Sequence, residues 1–356
     1  MVKVLFILKR REDYDAIVHS HVGLSTGLYN SASFMNDMLN DAGIDSVLEV
    51  AIDNNCIDRL VTKHQPTHVI IEALWVVPTK FTILQRLHPK VKWIIRLHSE
   101  MPFLAGESNA MDWIGDYSEF HSVYLGVNAP RMLRECQTYL SAMHPGRIWN
   151  NGRIIYMPNY YPQKFTKKKL DKSKDTVDIA CFGAVRPLKN HMVQAIAAIE
   201  FAQNIGKKLR FHINAGRIEM NGGPVINNLK GLFQQLSGRD FELINHQWRP
   251  RDQFLELCSQ MDIGLQVSFS ETFNIVGADL ISQGVPIVGS VEIPWAATKW
   301  CADPTDSTDI AQCLASAYRW SRTNVRYNQI SLKKYTNHTK DIWTKYFYEQ
   351  THSKSS

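Results

Sequence analysis

The sequence predicts an α/β protein built from two tandem, doubly wound domains, each a parallel sheet covered by helices. Three observations carry that expectation. The chain has 356 residues, and at about 150 residues per domain this length fits two globular domains rather than one. Apolar runs alternate with amphipathic segments from the first residue onward, the rhythm of a sheet whose parallel strands are joined by crossover helices. The rhythm breaks once, at Pro158 and a polar, lysine-rich stretch, and then restarts.

The first series begins with the strand VKVLFIL, followed by a helix from Gly27 to Asp41. The strands DSVLEVAI, THVIIEAL, VKWIIRLH and HSVYLGV come next, with helices between them and a further helix over 129–142, and the short strand RIIYM closes the series. The stretch QKFTKKKLDKSKD opens a linker over residues 163–176, whose lysines form a solvated hinge surface. The second series runs VDIACFG, a helix from His191 to Asn204, LRFHINA, a helix near 225–236, FELIN, a helix over 250–260, DIGLQVS, a helix over 272–283, and VPIVGS. The last segment, 324–350, is helical and carries Trp343, Tyr346, Phe347 and Tyr348. So much apolar surface after a finished domain needs something to dock on, and the first domain would satisfy it.

Composition narrows the class. At 44% hydrophobic and 21% charged the chain is neither disordered nor fibrous. Forty Lys and Arg against thirty-four Asp and Glu leave +6, which permits an anionic partner without demanding one. Six cysteines without a Cys-x-x-Cys pair read as isolated core thiols in a reducing compartment. The apolar run before Lys9, Arg10 and Arg11 is too short for a signal peptide, and no stretch reaches the ~18 apolar residues of a membrane span. A cytoplasmic protein is therefore expected, with no transmembrane segment and no clear membrane-binding signal; the sequon at Asn337 is taken as chance.

In open parallel sheets ligands bind beyond the carboxyl ends of the strands, so each strand-to-helix turn is a candidate. After the first strand, Gly23 and Gly27 with Ser25 and Thr26 would let backbone approach a phosphate or sugar. This turn has neither the Gly-x-Gly-x-x-Gly spacing nor a Gly-Lys-Thr. In FGAVRPLKN a strand ends at Gly183, and Arg186 and Lys189 stand just before a helix N-terminus. Two cations beside an already positive dipole imply an anion such as a diphosphate. In LQVSFSETFNIVGADLISQGVPIVGS a strand ends at Ser268 and Glu271 precedes a helix whose first-turn amides belong to Thr272, Phe273, Asn274 and Ile275. Asp279, eight residues after Glu271, is expected on the same helix face. His98, with Ser99 and Glu100, leaves the end of the fourth strand.

Together these residues resemble the GT-B glycosyltransferases of the retaining GT4 type (glycosyltransferase group 1), some of whose phage members modify DNA bases. The signature is Glu271 and Asp279 after Ser270 and before Gly284-Val285-Pro286; Met157-Pro158-Asn159, FGAVRPLKN and Thr26-Gly27 match further elements. The resemblance implies the GT-B fold: an acceptor domain over 1–162, a linker over 163–176, a donor domain over 177–323 and an interdomain cleft. A terminal helix, 324–356, would return to the first domain, and the domains would close about the linker when nucleotide binds.

Carried over position by position, the resemblance implies that Lys189 binds the donor diphosphate, with Arg186 and Gly183 in the same loop. Glu271 would hold sugar hydroxyls, Asp279 the ribose, and the amides of Thr272, Phe273, Asn274 and Ile275 the phosphates. Gly27, with Thr26, would lie under the diphosphate, and His98 beside the donor sugar; Glu271 and His98 form the catalytic set. The family's arginine position falls on Ala184, Asp279 replaces a commoner Glu, and Thr26 stands at a glycine position.

The implied reaction moves a sugar, with retention, from a nucleotide-diphosphate donor, a UDP-sugar first, to a hydroxyl. No tightly bound cofactor and no metal are expected, since Lys189, Arg186 and helix N-termini supply the positive field. Asp13-Tyr14-Asp15 is read as chance, and Pro66 breaks the helix that would align His64 with His68. The expected acceptor is a hydroxymethylated base in phage DNA, with a cell-surface glycan or lipid-linked sugar next. A nucleotide-sugar epimerase, or a non-catalytic binding protein on the same scaffold, are the readings of other classes.

Overall fold

A computed structural model describes residues 2–9, 27–146 and 152–352. The chain divides into two compact units, 1–162 together with 336–356, and 163–335.

The first unit runs β1 (Lys3–Lys9), α1 (Gly27–Asp41), β2 (Asp45–Ala51), α2 (Cys56–His64), β3 (His68–Glu72), α3 (Phe81–Leu87) and β4 (Lys92–Leu97). It continues with α4 (Met101–Leu104), α5 (Ala110–Ser118), β5 (Val123–Val127), α6 (Pro130–Met143) and β6 (Ile154–Tyr156). Its strands pair parallel in the order β2-β1-β3-β4-β5-β6. In β3 and β4 the residues from Val69 to Ile71 and from Trp93 to Leu97 are all buried. This continuous burial is why these strands read as unbroken apolar runs: both faces are covered. Met101, Phe103, Trp113 and Tyr117 pack on the core under β3–β5.

The second unit runs β7 (Thr176–Ala180), α7 (His191–Asn204), β8 (Lys208–Ile213), α8 (Gly222–Gln235), β9 (Phe241–Asn245) and α9 (Arg251–Gln260). It ends with β10 (Ile263–Gln266), α10 (Ile275–Ser282), β11 (Ile287–Gly289) and α11 (Ser307–Arg319). The order is β11-β10-β7-β8-β9, again all parallel. The chain moves outward from β7 to β9 and then crosses to the other side of β7, so the strand order reverses between β7 and β10. Residues 163–176 lie in this unit. The Thr166 N–H and hydroxyl donate to the Ser282 carbonyl (2.7 and 3.1 Å). Lys168, read in the sequence as part of a solvated run, instead donates to the Met261 carbonyl. Gly284 (φ +74°) makes that approach possible, since a Cβ there would meet the Lys168 nitrogen at 2.7 Å.

The last helix, α12 (Ser321–His352), contributes to both units, with the division at Thr336. In the second unit the Asn324 side chain bonds both backbone groups of Ile287 (3.0 and 2.8 Å), satisfying the open edge of β11 as another strand would. In the first, Trp343 and Phe347 join the core around Phe6, Met35 and Ile70, and the Trp343 indole donates to the Pro158 carbonyl (3.0 Å). Among the described residues no helix is long and apolar enough to cross a membrane. All six cysteines are free.

Candidate functional site

Strand order reverses between β7 and β10, and the carboxyl ends of the strands at such a reversal are where an open parallel sheet takes its ligands. Two loops meet there. The one after β7 turns at Gly183 (φ +126°), whose N–H donates to Asn214 Oδ1 (2.7 Å). It then forms a tight 3₁₀ turn, Pro187–Lys189, and Asn190 (φ 58°) starts α7. The one after β10 carries Ser268 to Asn274. The loops are sewn together: the Phe269 N–H donates to the Leu188 carbonyl (2.9 Å), Asn190 Nδ2 to the Val267 carbonyl (3.1 Å), and the Val267 N–H to Gln194 Oε1 (2.8 Å).

This stitching brings Lys189 Nζ onto Glu271 Oε1, with the side chains 13% and 7% exposed. Asn274 Nδ2 donates to the same Glu271 oxygen (3.0 Å) and to Gln266 Oε1 (3.0 Å). Two site residues expected from the sequence, Lys189 and Glu271, are thus in direct contact, and a third, Asn274, orients the carboxylate.

The expected helix over 272–283 begins later, at Ile275, because Asn274 (φ 62°) caps it by accepting the Gly277 N–H at Oδ1 (2.7 Å). Glu271, Thr272 and Phe273 therefore precede the helix, and the first helical amides are those of Ile275 and Val276. Glu271 and Asp279 consequently do not share a helix face. The strand before them ends at Gln266 rather than Ser268. Asp279, 3% exposed, is held by Arg251 of α9 (2.7 Å), a partner the sequence did not suggest.

Nor are the two cations uncompensated. Arg186 pairs with Glu219 (3.0 Å), which also binds Arg217, so an anion need not be invoked to neutralise the loop. Beside them His191 is buried with neither ring nitrogen hydrogen-bonded. Burial, reinforced by the Lys189 and Arg186 charges, pulls its pKa down to about 4. The hydroxyls of Ser268 and Ser290, beyond β10 and β11, are likewise buried without a partner.

In the first unit the end of β3 meets the end of β4. The register sets Glu72 opposite Arg96, and the fully buried pair is joined at 3.1 Å. His98 Nε2 also contacts the Glu72 carboxylate. Burial pushes the Glu72 carboxyl up, but Arg96 and His98 outweigh it and hold it below its ordinary value. Burial pulls the His98 imidazole down, against the pull of Glu72 and with that of Arg96. A neutral His98 donates through Nε2 to the carboxylate. Arg96 also reaches the Pro158 carbonyl (3.3 Å) and Asn159 Oδ1 (2.5 Å), which ties the Met157-Pro158-Asn159 element to the same network. Glu100 is buried on Arg131. The sequence names His98 but not its partner Glu72, whose one signal is an acid ending the apolar run Val69–Ile71.

Gly27 is the first residue of α1; Thr26, with Gly23, Ser25 and Asp13 to Asp15, lies outside the described residues. Among the described residues no group of three or more His, Cys, Asp or Glu could hold a metal ion.

No protein-family model matches the chain, and no curated protein matches it in sequence. Its structure is similar to that of α,α-trehalose 6-phosphate synthase from Burkholderia multivorans (TM-score 0.71, 11% identity, covering 100% of this chain and 98% of that one). It is also similar to sucrose-phosphate synthase from Thermosynechococcus elongatus (0.69, 13%, 99% and 100%) and to HepE of Anabaena in complex with UDP (0.62, 11%, 99% and 100%). With two parallel α/β sheets and likeness over its whole length to these structures, the chain has the GT-B fold.

Proposed function

We propose that the chain is a retaining glycosyltransferase of the GT4 type that takes a sugar from a nucleotide-diphosphate donor, a UDP-sugar first, and places it on a hydroxyl. The observation that carries this reading is the Lys189–Glu271–Asn274 contact at the strand-order reversal of the second sheet. It puts a cation and a carboxylate, each with its own partner, where an open α/β sheet takes ligands. Fold neighbours crystallised with UDP or described as UDP-forming support the choice of donor.

In the proposed reaction the bond from the anomeric carbon to the diphosphate oxygen breaks and a bond from the acceptor oxygen forms on the same face. The acceptor's proton leaves with the diphosphate. Lys189 exchanges Glu271 for the diphosphate, assisted by Arg186 and by the amides of Ile275 and Val276, and so stabilises the departing charge. Glu271, released from Lys189 and still held by Asn274, takes sugar hydroxyls. Asp279, fixed by Arg251, takes the ribose. No metal is needed in this scheme.

For the acceptor we carry forward a hydroxymethylated DNA base, supported by the net charge of +6, to be set against sugar phosphates, because sugar-phosphate synthases share the fold. The test is thermal shift with the uridine, guanosine, adenosine and cytidine diphosphates and their sugars. One series should stabilise the protein, and Lys189→Ala should abolish the effect. Glu271→Gln should keep nucleotide binding and lose transfer. A protein that no nucleotide stabilises, or a Glu271→Gln variant with full turnover, would remove the proposal.

A further inference from the structure

The second unit holds another cavity, at the opposite end of its sheet from the site above. It is a groove open to solvent with a volume of about 640 Å³, within the size range of small-molecule sites. One wall is the stretch 169–172, which leads to the amino end of β7; the other is 319–323, where α11 ends and α12 begins.

Lys169, Lys172, Arg319 and Arg322 line it, against a single carboxylate, Asp171. Asp171 is already occupied by the Ser173 N–H (3.0 Å) and hydroxyl (2.6 Å). None of the four cations has a carboxylate partner among the described residues. Their contacts are neutral: Lys172 Nζ donates to the Arg319 carbonyl (3.0 Å), and the Arg319 guanidinium lies 5.5 Å from the centre of the Trp320 ring. Trp320 is 52% exposed. Four like charges gathered round one cavity repel one another, and a half-exposed indole keeps apolar surface in water. Both costs fall when a ligand that is anionic at one end and aromatic at the other enters. Elsewhere in this unit Arg186, Lys189, Arg210 and Arg251 each have an acid, whereas Lys168 and Lys207 donate to backbone carbonyls; the four cations here differ in standing round one cavity.

We propose that this cavity binds a nucleotide unit, with its phosphate on Arg319, Arg322, Lys169 and Lys172 and its base against Trp320. The unit is either a free nucleotide or one residue of a single strand. Guanidinium and ammonium groups meet phosphate through charge-assisted hydrogen bonds, and an aromatic ring accepts any base face. The inference does not rest on the donor-site reading, because no residue of the Lys189–Glu271 site takes part.

The test is fluorescence anisotropy of the full chain with a labelled oligothymidylate of about twelve nucleotides, titrated from about 50 to 200 mM NaCl, with thymidine monophosphate as competitor. Arg319→Ala with Arg322→Ala should weaken binding tenfold or more and make the slope of log K against log salt shallower by about 1.4, the value for two lost phosphate contacts on a single strand. Trp320→Ala should weaken binding by roughly tenfold and leave the salt slope as it was. Lys189→Ala should bind the oligonucleotide unchanged, which separates this site from the donor site. Displacement by the monophosphate assigns the free nucleotide as a ligand; retention of the oligonucleotide assigns the strand. These side chains are exposed, so the variants should fold. The proposal falls if neither probe binds at the lower salt or if binding ignores the arginine pair. It falls too if inorganic phosphate competes as well as the nucleotide and Trp320→Ala changes nothing.

Discussion

Lys189 and Glu271 are 82 residues apart in the chain and meet in one contact, so each single substitution strands a charge in a site that is mostly closed to water. Truncating one partner of such a pair costs about 3–5 kcal/mol when burial is complete, and the remaining exposure brings the cost below that range. Glu271→Gln should be milder than Lys189→Ala, because an amide oxygen still accepts from Lys189 Nζ. Urea unfolding of the two variants would show the order directly. His191 leads to a second prediction. In the unfolded chain an imidazole titrates near 6.5, whereas in the fold burial and the two neighbouring cations hold it near about 4. Between those pH values only the unfolded chain binds the proton, so stability is complete above 6.5 and falls as the pH drops toward 4. A shift of that size in a buried group is worth on the order of 3 kcal/mol. His191→Gln should therefore lose less stability than the unsubstituted protein on acidification from pH 7 to 4.5. Equal losses in the two proteins would show that His191 is not an acid-sensitive group.

At the scale of elements, the loop over 183–190 depends on one glycine in α8. A Cβ at Gly222 would stand 2.0 Å from the Val185 carbonyl oxygen, a backbone atom that cannot turn aside. Val185 exchanges hydrogen bonds with Arg217 and Glu219 on the other side of the same contact (both 2.9 Å). Gly222→Ala should therefore move residues 183–190 as a body, carrying Arg186 and Lys189 with them. Nucleotide affinity should fall by more than tenfold, more than the accompanying loss of stability explains, and calorimetric titration with UDP checks it. A variant that binds UDP normally would mean that the loop is positioned by its stitches to Val267 and Phe269 alone. Several elements could be read from the sequence because their signals are local: α1 begins at Gly27, α7 at His191 and the strand FELIN lies where its pattern put it. α10 starts at Ile275 rather than 272 because the Asn274 side chain accepts from the Gly277 N–H and so ends the loop, a cap whose spacing is present in the sequence. The Glu72–Arg96 pair was not legible at all. It exists because parallel register sets those two residues side by side, and register is fixed by packing across the whole sheet rather than by either strand. Arg251 and Glu219 were hidden for the same reason: each meets its partner only after tertiary folding.

At the scale of the whole molecule, α12 serves two cores with different chemistry. Through residue 335 it belongs to the second unit, where Asn324 and Asn328 work by hydrogen bonds: Asn324 closes the edge of β11 and Asn328 Oδ1 accepts the Ala297 N–H (2.9 Å). From Thr336 it belongs to the first unit, where Trp343 works by burial, stacked at 6.1 Å on Phe6 and fully enclosed. Removing each should injure a different sheet. Trp343→Ala leaves a large cavity under β1 and removes one of the two donors to the Pro158 carbonyl, the other being Arg96, and substitutions of that kind cost about 3–5 kcal/mol. Asn324→Leu leaves the Ile287 N–H and carbonyl buried without partners, at about 1–3 kcal/mol for each group. Hydrogen exchange followed strand by strand separates the two effects. Trp343→Ala should speed exchange in β1, β3 and β4, and Asn324→Leu in β10 and β11, each leaving the other sheet near its original protection. If either substitution instead released both sheets equally, the helix would be acting as one cooperative element, and the two cores would have to be treated as a single folding unit despite their separate sheets.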